Sequence, residues 1–123
     1  MSAPDDIFAR LARSPFRSRF HLGAREREYA LARGRAVIAE HAQAFVAERL
    51  APAAPRNDGR QTPMRGHPAF IAQHATACCC RGCLEKWHRI PRGRPLDAAE
   101  QAFVVDLLMR WIDREMAAPR GGG

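Results

Sequence analysis

The chain has 123 residues, 46% hydrophobic and 27% charged, which is the size and composition of one folded domain with enough apolar content to bury a core. No apolar run approaches the ~20 residues that span a bilayer. The opening MSAPDDIFARLARS, with two early aspartates and no apolar h-region, does not read as a signal peptide, which points to a cytoplasmic protein and away from a disulfide scaffold.

Residues 4–13 predict a short first helix, with Asp5 or Asp6 near its start and Ile7, Phe8 and Leu11 on one face. Ser14-Pro15 ends it, because a residue before proline avoids the α region. FRSRFHLG follows as a basic, aromatic connector holding His21. Residues 24–50 read as helix, divided by Gly34, with Val37, Ile38, His41 and Phe45 as the buried stripe and His41 as a core histidine. Residues 51–66, with three prolines and the turn pair Asp58-Gly59, predict an irregular loop.

His67-Pro68 opens a further helix with proline at its first position, small and apolar from Ala69 to Ala77. Arg92-Gly93-Arg94-Pro95 is a turn. Asp97 and Glu100 have capping-box spacing at the head of a last helix that runs to about Met116. Its expected buried face is Phe103, Val104, Leu107, Leu108, Trp111 and Ile112. The tail from 117 to 123 predicts disorder. The expected fold is all-α, one domain of four to five helices with an ordered core over about residues 5–116.

The chemistry concentrates between His74 and His88, where four cysteines occupy six positions: Cys78, Cys79, Cys80 and Cys83. In a reducing compartment such spacing reads as metal-binding or reactive thiols. Cys80, Cys83 and His88 make C-x2-C-x4-H, in which a tight turn brings two thiolates to one ion and an imidazole follows. Those spacings match the first three ligands of a zinc knuckle, whose fourth cysteine is absent downstream. The preferred ligand set for a zinc ion is His74, Cys80, Cys83 and His88, with Cys79 as the substitute, since adjacent cysteines strain to share one tetrahedral ion. Three protein ligands plus water would leave an open, catalytic-type position. An iron–sulfur cluster and a thiol redox pair at Cys80-Arg-Gly-Cys83 are the other readings of these thiols.

The net charge is +7, and nineteen of the twenty basic residues are arginine. Residues 10–35 hold eight arginines against two glutamates, and a second basic block over 56–94 surrounds the cysteines. An anionic partner follows, either nucleic acid or another phosphate-bearing ligand. Arg65, Arg81, Lys86, Arg89 and Arg92 are the candidate phosphate contacts. Trp87 suits the core or base stacking. Glu85 is the candidate base should the site hydrolyse, and cysteine oxidation would make a sensor.

The run GRQTPMRGHPAFIAQHATACCCRGCLEKWHRIPRGRPL, with the earlier SPFRSRFHLG, resembles the domain of unknown function 4186 family of uncharacterised small bacterial proteins over about residues 8–115. The stretch RGHPAFIAQHAT-x-x-CCRGCLEKWH carries the resemblance. Cys78 stands where the family pattern has threonine, which leaves Cys79, Cys80 and Cys83 as the family-like thiols. The resemblance implies a single cytoplasmic domain and no established activity.

Overall fold

A computed structural model describes residues 4–118. Seven α-helical segments follow one another: α1 (Pro4–Ala12), α2 (Pro15–Ser18), α3 (Ala24–Arg33), α4 (Arg35–Phe45), α5 (Pro68–Ala75), α6 (Arg81–His88) and α7 (Ala98–Ala117). α4 runs directly into a π turn, Val46–Leu50. There is no strand among the described residues. The class is all-α as expected, but four to five helices were too few. The connector forms a one-turn helix of its own, because Pro15 occupies its first position and Ser14 Oγ accepts the Arg17 amide at 3.1 Å. The cysteine segment supplies another helix, α6. Most of the expected disordered tail, residues 119–123, lies outside the described residues.

Gly34 ends α3 and starts α4 from φ +85°, a backbone angle that glycine alone adopts freely, so one helical stretch becomes two. α5 is the centre of the molecule. All its residues except Phe70 are buried, and Ala69 and Ala72 are wholly inaccessible. Those small side chains let α4 and α7 pack closely against it, and α2 and α3 add to the same layer. α7 buries Val104, Leu107, Leu108, Met109 and Ile112. Phe103, expected in that face, is 40% exposed at its edge, and Trp111 is half-buried.

The α4 stripe also falls one step from its expected place. Ile38, Ala42, Val46 and Leu50 are the buried set, at most 1% exposed, while Val37, His41 and Phe45 sit half-buried on the flank. The π turn is the reason the stripe reaches Leu50. A spacing of four drifts around an α-helix, and the wider turn, closed by Ala51 N–H to Val46 O at 2.8 Å, restores the alignment.

The capping box of α7 forms as the sequence predicts. Asp97 Oδ1 accepts the Glu100 amide at 2.7 Å, and Glu100 Oε1 accepts the Asp97 amide at 3.0 Å. Asp97→Ala is expected to lower unfolding free energy by about 1 kcal/mol, read as a shift of the urea midpoint at constant m.

Candidate metal centre

The chain leaves α5 through Thr76 and Ala77, the latter at φ +61°, and re-enters helix at Cys80. Cys80 is the N-cap of α6, extended at φ −158°, with its sulfur accepting the Cys83 amide at 3.4 Å. Cys83 stands one turn into the helix and Cys79 just before the cap. The three sulfurs of Cys79, Cys80 and Cys83 lie within 4.8 Å of one another, a group that could hold a metal ion. Sulfurs bound to one tetrahedral ion at about 2.3 Å are about 3.8 Å apart, so the trio needs little closing; Cys79 and Cys83 already stand at 3.6 Å. The adjacency of Cys79 and Cys80, which counted against their sharing an ion, is accommodated because the chain turns between the end of α5 and the cap.

Arg17 of α2 completes the group, and nothing in its sequence neighbourhood announces it. Its guanidinium donates to Cys79 Sγ at 3.6 Å, Cys83 Sγ at 3.1 Å and the His74 carbonyl at 2.8 Å. The hydrogen bond with Cys83, and the hydrogen bond and charge of Arg17, bring the Cys79 thiol down to about 7, outweighing the effect of burial. Contact with Cys79, together with burial, pushes the Cys83 thiol up. Burial first, then Cys83 and the Asp58 carboxylate, drives the Cys80 thiol up. A cation against two sulfurs stabilises the thiolate form that metal binding requires.

Each of the two histidines of the preferred set commits its Nε2 to backbone carbonyls in this geometry. His74 Nε2 donates to the Thr62 and Pro63 carbonyls at 3.0 and 3.2 Å, and its ring stacks on Phe20. His88 Nε2 donates to the Thr76 carbonyl at 2.8 Å and meets Cys78 Sγ at 3.7 Å. Neither joins the sulfur trio. Cys78 is fully buried, its thiol pushed up to about 12 by loss of solvent, and its sulfur contacts the Thr76 carbonyl. The loop of residues 51–67 clasps the site from outside: Thr62 Oγ1 donates to the Cys79 carbonyl at 2.8 Å and Asp58 accepts the Arg81 amide at 3.1 Å.

Of the expected phosphate contacts, Arg65, Lys86 and Arg89 are exposed. Arg92 reaches Asp58 at 3.6 Å and its amide is held by Glu85 Oε2, which ties the candidate base Glu85 to a turn. Arg81 is the correction. It is 1% exposed, and its guanidinium donates to the carbonyls of Leu50, Ala51, Pro52, Pro91 and Arg94 at 2.8–3.4 Å. A guanidinium so committed is not offered to a phosphate. His21 is exposed and pairs with Glu115 at 3.1 Å.

His67 caps α5: its Nδ1 accepts the Ala69 amide at 2.9 Å. The proton of the neutral ring therefore sits on Nε2, which faces His41 Nδ1 at 3.0 Å inside a ring of Tyr29, Phe45 and Phe70. Charging His67 would cost the cap, and burial, then His41, lower it to about 4. The folded state therefore resists a proton that the unfolded chain takes up below about 6.5, so stability is retained above that pH and lost as pH falls toward 4. The expected loss is about 2–3 kcal/mol across that window. Urea titrations at pH 7 and pH 4.5 would show it, and His67→Asn, which keeps a cap acceptor but does not titrate, should reduce the dependence to the part owed to His88, which burial also lowers.

No helix among the described residues is long and apolar enough to cross a membrane. No solved structure matches the chain. The profile of the family described as domain of unknown function (DUF4186) matches residues 5–113, and the chain belongs to that family.

Proposed function

We propose that this is a zinc-binding helical domain in which Cys79, Cys80 and Cys83 are the protein ligands, and that it binds nucleic acid through its arginine-rich surface. The observation that carries the metal is the sulfur trio with Arg17 donating to two of its members. Thiolate sulfurs are soft donors suited to zinc. Three thiolates and a divalent ion sum to one negative charge, and Arg17 balances it while fixing the sulfurs' orientation. His74 and His88 act as positioning residues, one holding the loop at Thr62 and Pro63 and the other holding Thr76. The site then keeps a fourth position for a ligand from outside the trio.

Nucleic-acid binding is supported by the net charge of +7 and by exposed Arg65, Lys86 and Arg89. Elemental analysis of protein purified under reducing conditions without chelator is expected to give one zinc per chain. Affinity for a labelled oligonucleotide should fall steeply with salt, with a log–log slope of about −0.7 to −0.9 per phosphate contacted. Metal-free protein that is folded and stable would sink the first half of the reading; affinity indifferent to salt would sink the second.

A further inference from the structure

Three guanidinium groups and three aromatic rings alternate without a break across the face formed by α1, α2 and α6. Arg10 lies 5.3 Å from the centroid of Trp87, and Arg17 lies 6.0 Å from the same ring. Arg17 is also 4.9 Å from Phe16, Arg19 is 4.7 Å from Phe16, and Arg19 is 5.4 Å from Phe20. Phe16 and Phe20 meet edge to face at 5.2 Å. The ladder thus reads Arg10, Trp87, Arg17, Phe16, Arg19, Phe20. Its central rung, Arg17, is 9% exposed and bound to Cys79 and Cys83, so the cysteine cluster holds the ladder in place.

The outer parts face solvent. Phe16 is 44% exposed, Arg10 and Arg19 are exposed, and Trp87 and Phe20 are half-buried. Beyond Phe20 a depression of about 510 Å³ continues the face, with Met64 and Arg65 on its wall. A large apolar ring left this open is a cost to a lone domain, and flanking it with guanidinium groups is the composition of a surface that stacks bases while neutralising phosphates.

We infer that this ladder is the binding face for unpaired nucleotides: bases of a single strand stack on Phe16 and its neighbouring rings while Arg10 and Arg19 take the backbone phosphates. The inference rests on the nucleic-acid reading above and adds where the partner lies and that it is single-stranded. A duplex keeps its bases stacked on one another and offers this face only phosphates, so the rings discriminate. Every base has a flat face, so little sequence preference is expected.

The test is fluorescence anisotropy of the zinc-loaded protein with labelled dT and rU strands of about 15 nucleotides and with a duplex of equal length. Binding of either strand more tightly than the duplex is expected. Phe16→Ala, which removes an exposed ring and leaves the core intact, should weaken strand binding about tenfold and leave duplex binding within about twofold. Arg19→Ala should reduce the salt slope by about 0.7. Arg60→Ala, on the 51–67 loop, should change little. Circular dichroism and metal content of each variant establish that it is folded. If strands bind but Phe16→Ala and Arg19→Ala are without effect, or if the duplex binds more tightly, the ladder is not the site although the nucleic-acid reading stands. If neither strand nor duplex binds, both fall.

Discussion

Arg81→Met is expected to lower the unfolding free energy by about 3–5 kcal/mol, a large share of the margin a domain of this size holds. Methionine fills the space with no donors, so five carbonyls on two separate segments lose the guanidinium at once: Leu50, Ala51 and Pro52 at and just after the end of the π turn, and Pro91 and Arg94 in the turn before α7, with Ala51 alone keeping a second donor, the Leu96 amide at 2.8 Å. The cost lies in buried carbonyls left without donors more than in the bonds themselves. Arg81→Lys should recover less than half. A single ammonium cannot reach both segments with the spread of a guanidinium. The measurement is urea unfolding followed by circular dichroism. A midpoint shift worth less than about 1 kcal/mol for the methionine variant would show that those carbonyls find other donors.

The second large effect separates the four cysteines. Cys83→Ser is expected to abolish stoichiometric zinc and lower the melting temperature by about 10 °C or more, because a structural ion contributes its binding free energy to folding. Wild-type protein stripped with chelator should fall by a similar amount, and chelator should do nothing further to the variant. Cys78→Ala should behave differently although its target lies only five positions away. That side chain is fully buried and outside the trio, so the variant pays a cavity cost of about 1–2 kcal/mol while keeping one zinc per chain and its sensitivity to chelator. Zinc retained in Cys83→Ser, or lost from Cys78→Ala, would contradict the assignment of the ligands.

The elements whose signals are local were legible in the amino-acid sequence. The Asp97–Glu100 pair, Pro68 at a helix start and Gly34 at a break each act on the backbone within a turn of themselves, and each stands where expected. The class of the site was legible for the same reason: four thiols crowded into six positions carry their chemistry in their spacing. What escaped were the partners contributed from a distance. Arg17 reaches Cys79 and Cys83 across more than sixty residues. Among eight arginines in its block nothing distinguishes it, since a buried arginine and a solvated one look alike until the acceptors around them are known.

Arg81 was misplaced for that reason too. A run of basic residues beside a tryptophan reads as a polar face, whereas here one member turns inward to five carbonyls. His88 matched the spacing of a ligand and His74 lay one helical turn from Cys78, but spacing does not reveal that the Nε2 of each ring meets a backbone carbonyl and that neither joins the sulfur trio. The stripe on α4 was displaced because Ala42, being small, gives little periodic signal, and because the flank at His41 and Phe45 is covered by the aromatic side chains of α5 and its cap.

The π turn sets a rule for chain length. It holds one residue more than an α-helical turn would, and its last carbonyl, Leu50, is bonded by Arg81 together with those of Ala51 and Pro52 just beyond it. Deleting a single residue between 46 and 50 would let the segment close as ordinary α-helix, but everything after it would rotate by about 100°. Leu50 would swing out of the core, and the carbonyls of 50–52 would turn from the guanidinium. The exposed stretch from Ala53 onward obeys no such count, because Pro52 to Ala54 and Arg56 to Arg60 are open to solvent. Shortening or lengthening the chain there should leave the fold intact provided Asp58 and Thr62 keep their holds, so the same one-residue deletion is ruinous at 48 and mild at 54.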